Sequence, residues 1–148
     1  MNHYILTVGE SFDEHRRIDP YDELKKRLNE NFWYLYKKTK YAEEISKNDK
    51  VLFYASGLKN KKIFGSAKVA FKEKVLKIKH KTYTSNTPIY CLNFSEIVNF
   101  KDPKLMVKKI VKTDFFKKSE KKNLSKWGVY LMGGVRKITI DDYNLLKK

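Results

Sequence analysis

Residues 31–36 read NFWYLY, residues 48–54 read NDKVLFY and residues 63–69 read IFGSAKV. The second and third stretches are apolar runs separated by a polar, lysine-rich loop, and this arrangement predicts a β-hairpin. Residues 31–41 fit neither the helical nor the strand period, and five of them are aromatic. Such a segment either folds its rings into the core or presents them to a ligand, so it bears on both the fold and the candidate site.

The sequence around this segment alternates short apolar runs with helix-start signals. Apolar runs predict three further extended segments, at Tyr4–Val8, at residues 75–78 and at Ile89–Val98. N-capping residues predict three helices, which begin at Asp19-Pro20, at Asp102-Pro103 and at Thr139. Together these elements predict a mixed α/β (α+β) fold, a small mixed β-barrel of about five to six strands with short flanking helices. We expect one domain over residues 1–148.

The charge balance is strongly positive. The chain has 33 Lys and Arg residues against 17 Asp and Glu residues, which gives a net charge of +16. A field of this size attracts polyanions and makes binding to them depend on salt. Together with the aromatic segment, it predicts nucleic acid as the partner. A lysine-rich source proteome would produce a similar composition, because lysine supplies nearly all of the positive charge.

Cysteine content and hydropathy indicate the compartment. Cys91 is the single cysteine, so an internal disulfide is excluded and a reducing environment fits. The first residues lack the basic and apolar regions of a signal peptide. No apolar run approaches the ~20 residues that a membrane span needs. We therefore expect a soluble cytoplasmic protein without a membrane partner.

Residues typical of catalytic or metal sites are scattered along the chain. His3, His15 and His80 have no partner at metal-ligand spacing, and the glycines do not form a phosphate-binding loop. Residues 22–25, Asp-Glu-Leu-Lys, are similar to the acidic-x-Lys element of metal-dependent nucleases. They fall at a helix start, however, where acidic residues are ordinary. The sequence therefore predicts no cofactor, no metal site and no catalytic residue.

The order of these motifs resembles that of the EVE domain, a branch of the PUA-like superfamily that also includes YTH and ASCH domains. Family members resemble one another in an Asn-x-Trp segment followed by basic residues, an Asp-Lys-apolar strand ending in Tyr, and a returning apolar-Gly-x-apolar-x-Val strand. Trp, Arg-x-apolar and Asp-aromatic motifs come near their end. The matching residues here are Asn31-Phe32-Trp33, Lys37-Lys38, residues 48–54, residues 63–69, Trp127, Arg136-Lys137-Ile138 and Asp142-Tyr143. The resemblance covers nearly the whole chain and implies a PUA-like barrel.

The resemblance also implies a pocket that accepts one base flipped from its strand, as in the aromatic cages of YTH readers of methylated adenine. Trp33 matches the pocket tryptophan, whereas Tyr34 stands where members often carry Gly or Ser, so we expect a narrowed or redirected pocket. Candidate base-binding residues are Trp33, Tyr34, Tyr36, Tyr54, Ser56 and Trp127. Candidate phosphate-binding residues are Lys37, Lys38, Lys40, Lys59, Lys61, Lys62 and Arg136. Core packing is the alternative for the aromatic residues, and a surface salt bridge is the alternative for Arg136.

We therefore expect a reader domain that captures a single modified base of DNA or RNA, holds the phosphate backbone with lysines and has no catalytic activity. The resemblance to readers linked with restriction systems makes a separately encoded nuclease or modification enzyme a candidate partner. Two alternatives stay open. One is a small ASCH-like hydrolase acting on modified nucleosides, which needs a lysine, a hydroxyl residue and a carboxylate in the pocket. The other is an RNA-binding accessory domain without base selectivity.

Overall fold

The structure, a computed structural model, describes residues 1–57, 60–82, 84, 86–103, 105–118 and 134–148, apart from the side chain of Val107. Its strands in chain order are β1 (His3–Val8), β2 (Ser11–Asp13), β3 (Arg16–Ile18), β4 (Trp33–Tyr36), β5 (Lys50–Ala55), β6 (Lys62–Lys74), β7 (Pro88–Asn99) and β8 (Val135–Ile138). Its helices are α1 (Pro20–Glu30), α2 (Met106–Ile110), α3 (Asp114–Lys117) and α4 (Ile140–Lys147).

Six of the strands form one mixed sheet in the order β4-β7-β6-β5-β1-β8, and β2 pairs with β3 as a separate hairpin. β1 runs parallel to β5, whereas the other neighbouring strands are antiparallel. The pairing of β6 with β7 shifts register after Ser66 and again after Val69, and such bulges bend a sheet. The sheet curls into a half-barrel whose edges are β4 and β8. This architecture confirms the fold class expected from the sequence.

Side chains alternate between the two faces of the sheet, and each face has its own core. Along β5, Val51 and Phe53 belong to one core, whereas Leu52 and Tyr54 belong to the other. Helix α1 covers the first face through Leu24. Helices α2, α3 and α4 cover the second face. A sheet buried on both faces explains why β5 reads as a continuous apolar run rather than as an alternating one.

The junction between α1 and β4 is fixed by Asn31. This residue ends α1 in the left-handed conformation, with φ 55°, which asparagine tolerates better than most residues. Its side-chain Nδ2 donates to the Phe94 carbonyl (3.0 Å), and its Oδ1 accepts from the Phe94 N–H (2.7 Å). Asn93 Nδ2 donates to the Asn31 carbonyl (2.8 Å). The end of α1 is therefore tied to β7 before β4 begins.

Most elements predicted from the sequence are present. The opening strand, the hairpin of β5 and β6 and the strand β7 are confirmed. Asp19 caps α1, with its carboxylate accepting from the Tyr21 N–H. Thr139 caps α4, with its hydroxyl accepting from the Asp142 N–H at 3.1 Å. The starts of these two helices could be predicted from sequence because a capping side chain accepts a hydrogen bond from a backbone N–H only two or three residues later.

Two predicted elements differ from the structure. The extended segment predicted at residues 75–78 is wrong, because β6 ends before it, and Leu76 there is 96% exposed. Helix α2 begins later than the predicted cap at Asp102. Leu105 is still extended and forms a β-bridge with Lys62, so the chain pairs with the start of β6 before it turns into a helix.

The described ranges contain no helix that is long and apolar enough to cross a membrane. Within the same ranges, His, Cys, Asp and Glu side chains nowhere form a group of three that could hold a metal ion. Cys91 is half-buried on β7, and burial raises the pKa of its thiol. Trp127 lies outside the described residues.

We expect Asn31→Gly to lower the free energy of unfolding by about 1–3 kcal/mol, because glycine keeps the left-handed conformation but lacks the amide that pairs with Phe94. Asn48→Gly is the matched control, since Asn48 also has a positive φ (77°) and is exposed. Urea unfolding followed by circular dichroism measures both variants. An equal loss of stability in the two variants would show that added chain flexibility, and not loss of the hydrogen bonds between Asn31 and Phe94, causes the destabilisation.

Candidate nucleic-acid interface

A cavity of about 360 Å³ opens between α1, β4, the β2–β3 hairpin and the residues Lys81, Thr82 and Thr84. Its volume lies at the lower end of the range for small-molecule sites, which is about 300–1,000 Å³. The wall carries aromatic, charged and hydroxyl residues, namely Phe12, Phe32, Tyr34 and Tyr36, then Glu10, Glu23, Arg27 and Lys81, and then Ser11, Thr82 and Thr84. Aromatic faces beside convergent polar groups suit a planar ligand with hydrogen-bonding edges.

Strand alternation divides the aromatic residues of β4 between the cavity and the core. Tyr34 and Tyr36 line the cavity. Trp33 and Leu35 belong to the core, where Trp33 is 3% exposed and its ring centroid lies 5.7 Å from that of Phe53. Neighbouring residues of a strand face opposite ways. The structure therefore places Trp33 behind the cavity and not in its wall.

Glu23 and Arg27 form a polar pair in the wall. They lie one turn apart on α1, and Arg27 Nε donates to Glu23 Oε1 over 3.0 Å. The Arg27 guanidinium lies 4.6 Å from the centroid of the Trp33 ring, within cation–π range. Trp33 therefore supports the cavity indirectly, as the surface on which Arg27 packs.

The Tyr36 hydroxyl lies within the electrostatic influence of this pair. Burial raises the pKa of Tyr36, the Arg27 cation lowers it by less, and Tyr34 and Glu23 raise it further. The hydroxyl therefore stays protonated at neutral pH, because even the ordinary tyrosine pKa is near 10. In that form it can donate one hydrogen bond and accept others.

The segment from Lys79 to Lys81, whose last residue lines the cavity, is tied to three other parts of the chain. The Tyr34 hydroxyl accepts from the N–H groups of Lys79 and His80, each at 3.2 Å. The His80 ring stacks on Phe32, with centroids 4.0 Å apart and an interplanar angle of 3°. Lys81 Nζ donates to Asp13 Oδ2 on the hairpin at 2.8 Å. These contacts join the segment to β4, to the connection between α1 and β4, and to β2.

The other predicted base-binding residues lie elsewhere. Tyr54 is buried in the second core, on the face covered by α2–α4, and burial raises the pKa of its hydroxyl. Ser56 follows β5, and its hydroxyl donates to the Val8 carbonyl at 3.1 Å. The structure thus brings Tyr34 and Tyr36 together in one cavity and separates them from Tyr54 and Ser56.

The predicted phosphate-binding residues fall into separate groups. Lys37, Lys38 and Lys40 are exposed in the turn that directly follows the cavity residue Tyr36. Two further lysines, Lys61 and Lys62, lie at the start of β6, and Lys59 is outside the described residues. Arg136 lies on β8, the opposite edge strand, with its guanidinium 4.9 Å from the centroid of the Phe115 ring. Of these groups, the first is the one that directly follows a cavity residue in the sequence.

Sequence reasoning did not identify most of the cavity wall. Phe12 lies on the short β2–β3 hairpin, which carries too few residues for a recognisable strand pattern. Glu23 and Arg27 show the i, i+4 spacing of an ordinary surface ion pair. That spacing was the available signal, but it does not reveal that Glu23 is buried.

The family model for the EVE domain matches residues 15–148. Similar solved structures include the human THYN1 protein in complex with 5-methylcytosine-containing DNA, at 13% identity and a TM-score of 0.55, covering 97% of this chain and 94% of that chain. A Pseudomonas putida protein has 12% identity and a TM-score of 0.58, with coverage of 97% and 95%. Rpa0253 from Rhodopseudomonas palustris has 13% identity and a TM-score of 0.56, with coverage of 99% and 90%. At these identities the likeness shows the fold alone. No curated protein sequence matches the chain.

We expect Tyr34→Phe to speed amide hydrogen exchange at Lys79 and His80 by about tenfold, because two backbone donors lose their acceptor. Hydrogen-exchange mass spectrometry of the peptide that contains both amides measures the change. Tyr90→Phe is the control, since it removes a hydroxyl that bonds to the exposed Glu43 carboxylate instead. Unchanged exchange at both amides would contradict the role given to the Tyr34 hydroxyl.

Proposed function

Because the chain belongs to the EVE domain family, we propose that it binds nucleic acid and captures a single modified base in the cavity between α1 and β4. The observation that carries this proposal is the cavity wall, which sets aromatic rings beside a carboxylate–guanidinium pair. The protein acts as a binding module and performs no reaction on the base.

Stacking supports base capture energetically. Extruding a base from a duplex costs a few kcal/mol, and less for a base that is already unpaired. One stack on an aromatic side chain returns about 1–3 kcal/mol. Phe12 lines the cavity and is 59% exposed, whereas Phe32 is 2% exposed and stacks on His80. A base can therefore reach Phe12 more readily than Phe32.

A methyl group on the base adds to this binding only modestly. Burying one methyl contributes roughly 0.8 kcal/mol, so discrimination by burial alone stays below about tenfold. The remaining affinity comes from phosphate contacts, for which the exposed Lys37, Lys38 and Lys40 follow the cavity residue Tyr36. The THYN1 protein, which shares this fold, has been solved with 5-methylcytosine-containing DNA. DNA carrying that base is thus the first probe for this chain.

We expect Phe12→Ala to weaken binding of an oligonucleotide with one 5-methylcytosine by about tenfold, through loss of one stacking face. Fluorescence anisotropy at fixed salt measures the affinity. Phe71→Ala is a closely matched control, because Phe71 is 56% exposed but lies on β6 and does not line the cavity. Equal affinities for the wild type and both variants would contradict capture of a base at this cavity.

Replacing Lys37 and Lys38 together by Ala should reduce the slope of log K against log salt by about 2, because each phosphate contact contributes nearly one unit. The variant Lys117→Ala/Lys118→Ala removes the same charge from the last residue of α3 and the residue after it, and α3 covers the other face of the sheet. It should leave the slope unchanged. The same drop in both variants would indicate generic attraction to a basic protein, which is the behaviour of a non-selective RNA-binding accessory domain.

A second candidate function, hydrolysis of modified nucleosides, is favoured by one observation. The cavity wall includes a lysine, threonines and glutamates, the residue types such a hydrolase needs. Lys81, however, is held in an ion pair with Asp13. Incubation with acylated and methylated nucleosides, followed by mass spectrometry, distinguishes the two functions, since a reader returns each nucleoside unchanged.

A further inference from the structure

Glu23 carries a hydrogen-bonding atom that the described part of the chain leaves unused. Its side chain is 4% exposed and lines the cavity. Oε1 accepts from Arg27 Nε, but Oε2 is buried and has no hydrogen-bond partner among the described residues. Two other buried side-chain oxygens among the described residues also lack a hydrogen-bond partner, the Tyr4 hydroxyl and the Thr7 hydroxyl. Both belong to neutral side chains of β1.

A buried carboxylate oxygen without a donor destabilises the free protein. Hydrogen bonds to charged groups are stronger than those between neutral groups, and an unpaired buried charge loses its hydration without compensation. Arg27 satisfies only one of the two Glu23 oxygens through Nε. A ligand group that brings an N–H into the cavity would supply the donor that Oε2 lacks.

Resting on the proposed function, we infer that Glu23 recognises an exocyclic amino group on the captured base. Oε2 accepts from the amino N–H, and the Arg27 guanidinium donates to the adjacent ring nitrogen. This acceptor–donor pair complements the amidine edge of cytosine (N4–H and N3) or of adenine (N6–H and N1). The ligand class is therefore an amino-bearing base with at least one free amino N–H.

Bases without such an amino group fit this pair poorly. Thymine and uracil present a carbonyl oxygen where cytosine presents its amine, and that oxygen would face the Glu23 carboxylate. Two acceptors in a site with little water leave both unsatisfied. Glutamate and aspartate accordingly accept from cytosine N4 when they read base edges. The cavity should therefore reject keto pyrimidines even when they carry the same methyl group.

The first test uses the wild-type protein and changes only the probe. Single-stranded oligonucleotides carry, at one position, 5-methylcytosine, the same base without its amino group (5-methyl-2-pyrimidinone), its N4,N4-dimethyl derivative, or thymine. We expect each loss of the amino N–H to weaken binding by about tenfold or more. Adenine and purine, which is adenine without its amino group, form a parallel pair. Comparing the loss of affinity in the two pairs shows whether the cavity prefers cytosine or adenine. Equal binding of 5-methylcytosine and 5-methyl-2-pyrimidinone would overturn the inference.

The second test changes the acceptor. Glu23→Gln can present an amide N–H in place of Oε2, so we expect the preference for 5-methylcytosine over thymine to vanish or reverse. Asp22→Asn is the matched control, because it removes the same charge from the same helix at an exposed position whose partner is Lys25. Circular dichroism and a thermal melt establish that both variants are folded. If both variants keep the wild-type base order, Glu23 does not read the base.

These measurements also distinguish failure of this inference from failure of the proposed function. If Phe12→Ala weakens binding but removal of the amino group from the probe does not, the protein captures a base without using Glu23. A protein that ignores both Phe12→Ala and the identity of the base does not capture one, and the proposed function then fails as well. The probe series needs no variant, so it can overturn the inference even if Glu23→Gln does not fold.

Discussion

Asn31 joins the two parts of the chain on which the site depends. Its amide pairs with both backbone groups of Phe94, which fixes the end of α1 against β7 just before β4 begins. Arg27 lies on α1 and Tyr36 on β4, so this clamp sets the distance between the charged and the aromatic parts of the cavity. A satisfied polar pair in a half-buried position favours one arrangement, because a shift leaves groups unpaired. The clamp thus specifies the shape of the site as well as the fold.

The segment that contributes the site also contributes to the core, and this explains why its rings could not be assigned from sequence. β4 has four residues, and three of them are aromatic. Alternation between faces is normally visible as an alternation of apolar and polar residues. Here both faces are apolar in composition, so Trp33 and Tyr34 look alike although one is core and the other lines the cavity. Neighbouring side chains on a strand point to opposite faces of the sheet. This rule assigns Trp33 and Tyr34 to different faces, but it applies only once the segment is known to be a strand.

Local signals predicted the parts of the fold that depend on local chemistry. The helix starts were predictable because Asp19 and Thr139 each form a hydrogen bond within the first turn of the helix that they cap. The strands β1, β5 and β6 were predictable because each contains a short apolar run. The cavity wall, by contrast, is assembled by contacts such as that of Lys81 with Asp13, which are 68 residues apart. The spacing of Glu23 and Arg27 was visible, but the burial of Glu23 depends on tertiary contacts that no local pattern encodes.

The two ion pairs at the cavity, Lys81–Asp13 and Arg27–Glu23, differ in burial. At the rim, Lys81 and Asp13 are paired with side chains 60% and 39% exposed, and such surface pairs are worth about 0–1 kcal/mol. In the inner wall, the Glu23 side chain is 4% exposed and its partner Arg27 is 25% exposed. Under the proposed function, separating Lys81 from Asp13 to admit a base therefore costs little, whereas the Glu23–Arg27 pair stays in place. Salt screens exposed charges far more than buried ones. It follows that ionic strength should change how tightly a strand is held much more than which base is chosen.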